Sequence, residues 1–267
     1  MRLYNRDYRS ITQEEKVKYE EIKVTETMGT PFETFNYYCD YPEAIKHYLS
    51  YFPNNHIFLG DVKKSCKIHL INEEFLALVH DTSTTEQDIL RFINHDYQAY
   101  YIIGSIFNAG GFRFGHHDAY IFPEFRLGND YRVDYLLIGK SSGGYEFIFV
   151  ELEKSNGRVT LADGHPGQAM RSGTFQIYNW NAWIDSNFTS LRTFFDSEKQ
   201  ANKDLPKEFY TYDSTRMHYV VVSGTREDYN DQTYRYRRQE DQHSNVVYLH
   251  YDNLYDASER LIEQNTF

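Results

Sequence analysis

Three acidic residues lie within or directly after two apolar runs in the middle of the chain. The runs read RVDYLLIGKSSGGYEFIFVELEKS over residues 132–155, with Asp134 inside the first run and Glu151 and Glu153 at the end of the second. Burying a carboxylate costs free energy unless a partner neutralises its charge. Because side chains alternate between the two faces of a strand, Glu151 and Glu153 are expected on one face. These carboxylates are the first candidates for chemistry.

A hairpin made of the two runs would bring two of these acids together. If Asp134 pairs with Glu151, the connecting loop is Lys140–Tyr145 and the two carboxylates are neighbours, although the sequence alone does not fix this register. Like charges so close repel strongly unless a divalent cation lies between them. Mg²⁺ takes one or two carboxylates and keeps waters and phosphate oxygens as its other ligands, and it can activate water against a phosphodiester.

The simpler alternative is that these acids lie on a solvated strand end and have no function. Acidic residues are mostly exposed in folded proteins, and spacing alone does not exclude this. Asp134 argues most strongly for a site, because it lies within an aromatic and aliphatic run rather than at its end.

The elements around the acids follow an α/β order. Thr84 and Gln87 have the spacing of a capping box, and apolar residues at helical intervals predict a helix from about 85 to 107. This pattern and the strands after it favour a mixed sheet in an α/β domain over residues 81–267. The later elements are a strand, the hairpin, a helix over Gln168–Phe188, a long polar excursion over 190–215, a strand at 218–224, a charged segment, a strand at 245–251 and a closing helix.

Residues 1–80 are predicted to form a smaller N-terminal α+β region of unknown role. A short helix at 42–52 begins at a proline, the residue that favours the first helical position. Strands are expected at 17–26, 56–60 and 66–71. No motif with recognisable chemistry occurs in this region.

Composition and charge bound the classes of function. The chain has 267 residues and a net charge of −11, so a nucleic-acid partner would need local basic sites. Two cysteines, Cys39 and Cys66, lack zinc-site spacing. His116 and His117 have no spaced third ligand and are expected on the surface. No apolar run is long enough to cross a membrane and the first residues lack a secretion signal, so a cytoplasmic protein is expected.

The second region supplies basic residues that DNA phosphates could contact. A few such residues on one face suffice to bind a phosphate backbone. Tyr234 and Tyr236 alternate with arginines, which suits base stacking beside backbone contacts, and the alternative is a solvated charged helix. The candidates are Arg126, Arg132, Lys154, Arg158, Arg171, Arg235, Arg237 and Arg238.

Four segments between residues 85 and 267 carry a resemblance to a known family. They read EFRLGNDYRVDYLLIG, FIFVELEKS, FQIYNWNAWI, and HYVVVSGTRED followed by YRYRRQ and NVVYLHYDNLYDA. In this order they resemble the PD-(D/E)XK nuclease superfamily and, more narrowly, the Shedu family of prokaryotic anti-phage defence proteins. The resemblance implies a restriction-endonuclease-like core, DNA cleavage with Mg²⁺ or Mn²⁺, a homo-oligomer and a phage-derived trigger.

The resemblance also implies roles for individual residues. Asp134 and Glu151 would hold the metal ion. Gln176 would orient a water or the metal shell from the helix that faces the sheet. Glu124 would be an auxiliary acid before the first catalytic strand, and Glu86 on the first helix is a further candidate of the same kind.

Glu153 departs from the superfamily pattern. This position is usually a lysine that positions or activates the water, and here Lys154 follows it instead. Glu153 could serve as a third ligand or as a base. Lys154 could also turn into the site, although strand alternation points it to the opposite face. The alternative function is a catalytically weak or inactive nuclease-fold module that binds nucleic-acid ends or a phage protein.

Overall fold

A five-stranded sheet lies at the centre of the protein. The computed structural model describes residues 2–28, 41–64, 67–161, 165–264 and 266–267. Strands β1 to β3 pair antiparallel, whereas β3, β4 and β5 pair parallel, so the predicted mixed sheet of an α/β fold is confirmed. The strands lie side by side in chain order: β1 (Asp118–Leu127), β2 (Tyr131–Ser141), β3 (Gly144–Leu152), β4 (Met217–Val222) and β5 (Val246–Leu249).

Helices cover both faces of this sheet. Among the described residues, none of them combines the length and the apolar character needed to cross a membrane. In chain order the helices are α1 (Gln13–Met28), α2 (Pro42–Tyr48), α3 (Leu59–Lys64), α4 (Ile68–His80), α5 (Glu86–Arg91), α6 (Tyr100–Gly104), α7 (Ile106–Ala109), α8 (Gln168–Asn187), α9 (Arg192–Glu198), α10 (Asp231–Ser244) and α11 (Tyr251–Leu261).

The β2–β3 hairpin has the register that sequence alone left open. Tyr135 pairs with Val150 and Lys140 pairs with Tyr145, so the next position places Asp134 level with Glu151. A tight turn joins the two strands. Gly144, the first residue of β3, has a φ of +104°. Glycine adopts this backbone conformation without the steric cost that a side chain would add.

Each face of the sheet has its own apolar core. On one face, Leu136 and Phe149 pack in a cluster with Trp180 of α8. On the opposite face, Tyr135 and Val150 pack with residues of α4 to α7 and α11. The alternation of β3 therefore assigns Glu151, two residues after Phe149, to the face that α8 covers. In β2 the alternation is broken at Asp134, because Val133 and Leu136 both pack in the α8-side cluster.

Residues of the N-terminal region join both cores. Phe52 is fully buried in the α8-side cluster, with its ring 5.3 Å from those of Tyr120 and Phe122. Phe75 of α4 is fully buried in the opposite cluster. The boundary between residues 80 and 81 stays a prediction, as does the separate role of residues 1–80. Cys39 and Cys66 lie outside the described residues.

The continuous helix predicted from about 85 to 107 is wrong. Helix α5 passes into a π-helical turn at Phe92–Asp96, and Gln98 then has a φ of +49° before α6 begins. Apolar periodicity does not reveal such a break, because the segments on either side bury the same kind of residue. The cap is also one position later than predicted. Thr85 and Asp88 form the capping box, and the Thr84 hydroxyl donates to a backbone carbonyl instead.

The strands predicted at 17–26, 56–60 and 66–71 are also wrong. The first segment lies in α1, and the other two overlap α3 and α4, so the described part of the N-terminal region contains helices and one isolated β-bridge. Thr12 and Glu15 form a reciprocal cap at the start of α1, with the Thr12 N–H donating to the Glu15 carboxylate over 2.9 Å. This S/T-x-x-E signal outweighs the β-branched residues that suggested a strand.

The excursion expected over residues 190–215 contains ordered structure. It holds α9 and overlaps three short 3₁₀ turns, Phe188–Leu191, Lys207–Phe209 and Ser214–Arg216. Phe195 and Phe209 from this stretch are fully buried against the α8-side core. Its polar composition concealed these apolar anchors.

Gly173→Ala is expected to destabilise the protein, because α8 approaches the sheet closely at this residue. A Cβ atom at Gly173 would lie 2.7 Å from Val221 Cγ1. The clash should outweigh the gain of about 1 kcal/mol that alanine gives in a helix, with a net loss of about 1–3 kcal/mol. Thermal unfolding measures it, with Ser172→Ala on the exposed side of α8 as the matched control. A melting temperature that rises in both variants would contradict the close packing.

Candidate active site

Three carboxylates stand in a row across the first three strands. Pro123 pairs with Tyr135 and Phe125 pairs with Val133, so Glu124 of β1 lies level with Asp134 of β2. The β2–β3 register places Asp134 level with Glu151, which itself pairs with Val221 of β4. The row lies where β3 ends. Neighbouring strands are about 4.8 Å apart, so the three side chains begin close to one another.

Asp134 and Glu151 are held by hydrogen bonds as well as by the sheet. Asp134 Oδ2 accepts a hydrogen bond of 2.7 Å from the backbone N–H of Leu152. Glu151 is only 5% exposed, and its Oε1 accepts a hydrogen bond from Gln176 Nε2. Gln176 therefore reaches from α8 to the end of β3, and it fixes the orientation of the Glu151 carboxylate.

Glu153 lies beneath the same helix. Its Cγ atom would be 3.4 Å from a Cβ atom on Gly173 of α8. Two hydrogen bonds hold its main chain: its N–H donates to the Val222 carbonyl over 2.8 Å, and its carbonyl accepts from the Tyr251 hydroxyl over 2.7 Å. Glu153 thus continues the α8 face of β3 beyond the last strand residue.

Burial and mutual repulsion disfavour full ionisation of these acids. Burial is the largest cause that raises the pKa of Asp134, and it is opposed by the Leu152 N–H. Burial and then the charge of Asp134 raise the pKa of Glu151. Burial raises the pKa of Glu153 to about 7. A cluster of this kind gains stability from protons or from a cation.

Glu86 belongs to the same electrostatic cluster. It lies in the first turn of α5, and its own pKa is raised by burial, whereas the charges of Lys154 and Arg132 lower it. Lys154 is exposed, and its charge also lowers the pKa of Glu153. The charge of Glu86 also raises the pKa of three further carboxyl groups, those of Asp134, Glu151 and Glu153, in each of which burial is the largest cause.

The residues that could hold a divalent cation are Asp134 and Glu151. Within the ranges that the structure describes, no three His, Cys, Asp or Glu side chains are arranged as ligands of one metal ion. A Mg²⁺ site does not require three, because Mg²⁺ keeps several waters and needs only one or two carboxylates. The donor set is hard oxygen, with no thiolate or imidazole, which fits Mg²⁺ or Mn²⁺ rather than zinc.

Glu124 combines an uncommon backbone conformation with an ion pair. Its φ is +50°, a left-handed value that costs a non-glycine residue about 1–3 kcal/mol. The turn breaks the alternation of β1, since Phe122 and Phe125 both pack in the α8-side cluster. Its Oε1 lies 2.9 Å from Arg132 Nη1 at a largely exposed position. The strained position therefore lies at the β1 end of the row of acids.

The basic candidates fall into several places. Arg126 and Arg132 pair across β1 and β2, and Arg237 is half-buried on α10. Tyr234 and Tyr236 of α10 pack against the core, with rings 5.5 Å from Tyr229 and 5.6 Å from Tyr248 respectively, so they are not free to stack on bases. The exposed candidates are Arg126, Arg132, Lys154, Arg158, Arg171, Arg235 and Arg238.

Two supporting residues were not predicted as part of the site. Tyr251 is fully buried and donates to the Glu153 carbonyl. Asp252 accepts hydrogen bonds from the Arg226 N–H over 2.8 Å and from His80 Nε2 over 2.9 Å. The signal for both was the HYDNL segment, in which these residues begin α11 and tie it to the ends of β3 and β4.

A model of the family described as Shedu protein SduA, C-terminal, matches residues 83–255. The chain belongs to the Shedu family. Membership in this family indicates a role in anti-phage defence. The match covers β1 to β5, α8 and the row of acids, and it leaves α1 to α4 outside. Among curated proteins no match to the chain is found.

Glu151→Gln is expected to stabilise the protein when divalent cations are absent. The amide can still accept the Gln176 hydrogen bond, and it removes a buried charge next to Asp134. A raised folded-state pKa means that stability is lost as pH rises through that pKa. Chemical unfolding at pH 8 in EDTA should therefore show a gain of about 1–3 kcal/mol.

Glu146→Gln is the control for this measurement. Glu146 lies on β3 outside the row, and its carboxylate is 2.8 Å from His218 Nε2. The free energy of unfolding of this variant should not rise above that of the natural protein. A Glu151→Gln variant that is less stable than the natural protein at pH 8 in EDTA would show that the carboxylates do not repel.

Proposed function

We propose that the protein is a Mg²⁺-dependent endonuclease that hydrolyses DNA phosphodiesters in defence against phage. One observation carries the proposal: Asp134 and Glu151 lie level on neighbouring strands, with Gln176 of α8 bonded to Glu151. A buried and a half-buried carboxylate, side by side at the end of an apolar sheet, are poorly tolerated without a cation. Family membership supports the biological role.

Asp134 and Glu151 would hold the ion, and Gln176 would keep the Glu151 carboxylate turned towards it. A bound Mg²⁺ would lower the pKa of a coordinated water and stabilise charge on the phosphate. Glu153 replaces the usual lysine as the group that accepts a proton. Its pKa of about 7 suits a general base near neutral pH.

The DNA backbone would contact exposed arginines and Lys154 around the site. Arg132 and Lys154 are the basic groups whose charges reach the carboxylates. Because the net charge is −11, binding depends on these local contacts and should weaken steeply with salt. Action in the cytoplasm as a homo-oligomer with a phage-derived trigger extends the same proposal.

A second candidate function is a nuclease-fold module that binds nucleic-acid ends or a phage protein without cleaving DNA. The acid at position 153, where the superfamily usually has lysine, favours it. This alternative predicts that the natural chain is inactive and that Glu153→Lys creates cleavage. The leading proposal predicts that the Glu153→Lys variant does not cleave DNA faster than the natural protein.

Asp134→Asn is expected to abolish cleavage of plasmid DNA in Mg²⁺. Loss of one metal ligand should lower the rate about 100-fold or more, whereas Glu146→Gln should cleave at the natural rate. Gel analysis with an EDTA control measures both. Cleavage by the Asp134→Asn variant at the natural rate would show that Asp134 is not part of the active site. Degraded RNA beside intact plasmid would show that the substrate is RNA.

Glu153→Gln is expected to lower the rate of cleavage and leave Mg²⁺ affinity unchanged. Loss of a general base should cost about 100-fold or more in rate. Single-turnover kinetics measure the rate, and calorimetric titration measures the affinity. A loss of Mg²⁺ affinity would make Glu153 a ligand instead, and unchanged cleavage would remove it from the chemistry.

A further inference from the structure

A cavity of about 410 Å³ opens beside the start of β1, at the other end of this strand from Glu124. Its walls come from α2, residues 56–59, the loop before β1 and the residues at 266–267. Asp118 at this cavity is six residues before Glu124, so at about 3.3 Å per residue the cavity is about 20 Å from the row of acids. The cavity is therefore a separate site.

The walls are mainly apolar. A volume of this size falls within the range of small-molecule sites, which are typically apolar with a few placed polar groups. Leu49 at the end of α2 is 51% exposed, although it lines the cavity. The apolar side chains on the walls are Ile45, Leu49, Ile57, Phe58, Leu59 and Phe267.

The polar groups of the cavity have a definite charge. His56 is buried, and burial lowers its pKa to about 4, so its ring is neutral at pH 7. Its Nδ1 has no hydrogen-bond partner in the part of the chain that the structure describes. Asp118 is the one acidic side chain among the described lining residues, and it accepts a hydrogen bond of 2.6 Å from the Tyr145 hydroxyl.

The same described lining contains no lysine or arginine. Lys203 lies outside this lining, where its Nζ donates to the Leu49 carbonyl over 2.6 Å and the charge of Asp118 acts on it. Inside the lining, an anionic ligand such as a phosphate or a carboxylate would meet the charge of Asp118. A cationic ligand would find one carboxylate and apolar walls, which is the arrangement that suits a flat ring with a charged end. His116 and His117 lie exposed at the rim, as predicted for the surface, with ring centroids 4.4 Å apart.

We propose that this cavity binds a small aromatic cation, with its ring against the apolar walls and its charged end at Asp118. The proposal concerns a second site and does not depend on nuclease activity. Electrostatic complementarity then sets the preference among ligands of one shape.

Three ligands of one shape test the proposal. Benzamidine is cationic, benzamide is neutral and benzoate is anionic, and all three have a benzene ring with one planar substituent. Ligand-observed NMR on the full chain at pH 7 should give benzamidine the lowest Kd, with benzamide about fivefold and benzoate at least about tenfold weaker. Equal affinity for benzamidine and benzoate, or no binding of any of the three, would overturn the proposal.

Two variants locate the binding. Asp118→Asn keeps an oxygen that can accept the hydrogen bond from Tyr145. Because the charge is gone, this variant should bind benzamidine and benzamide with about equal affinity. Leu49→Trp should cover the cavity and abolish binding. Leu70→Trp is its control, because Leu70 is 58% exposed on α4 and does not line the cavity. Binding that survives Leu49→Trp in a folded protein would place the ligand elsewhere.

Discussion

Repulsion between two carboxylates at the end of a buried sheet is the constraint on which the account depends. Asp134 and Glu151 are forced together by the register of a hairpin whose other residues fill both apolar cores. The register cannot slip by one residue, because that would turn every core side chain of the hairpin to the other face. The fold therefore holds two like charges in place, and their hydrogen bonds to Leu152 and Gln176 offset only part of the cost.

The surrounding structure keeps this end of the sheet from relaxing. Tyr251 fixes the carbonyl of Glu153, and Asp252 ties the same helix to the turn after β4. Gly173 lets α8 pass close to Val221, which brings Gln176 within reach of Glu151. These contacts come from three separate parts of the chain. They hold the acids in one geometry, as a preorganised site requires.

Sequence was sufficient to predict the sheet and the hairpin that carries the acids. The alternation in 132–155 and the turn between its strands define a hairpin, whereas its register, with Tyr135 opposite Val150, comes from the structure. The π-helical turn before Gln98 could not be predicted, because apolar spacing is nearly the same on both sides of it. The spacing of Thr12 and Glu15 is a sequence signal for the start of α1, and it favours a helix over the strand expected at 17–26. The effect of the Glu86 charge on the other acids depends on the position of α5 relative to β3, and only the tertiary packing determines that position.

The most direct test of the central claim is an anomalous diffraction map from crystals grown with Mn²⁺. The account predicts one peak between the carboxylates of Asp134 and Glu151, within about 2.0–2.3 Å of an oxygen from each. A map with no peak there, in crystals that hold both side chains in the positions described, would show that protons and hydrogen bonds alone neutralise the pair. That result would contradict the account.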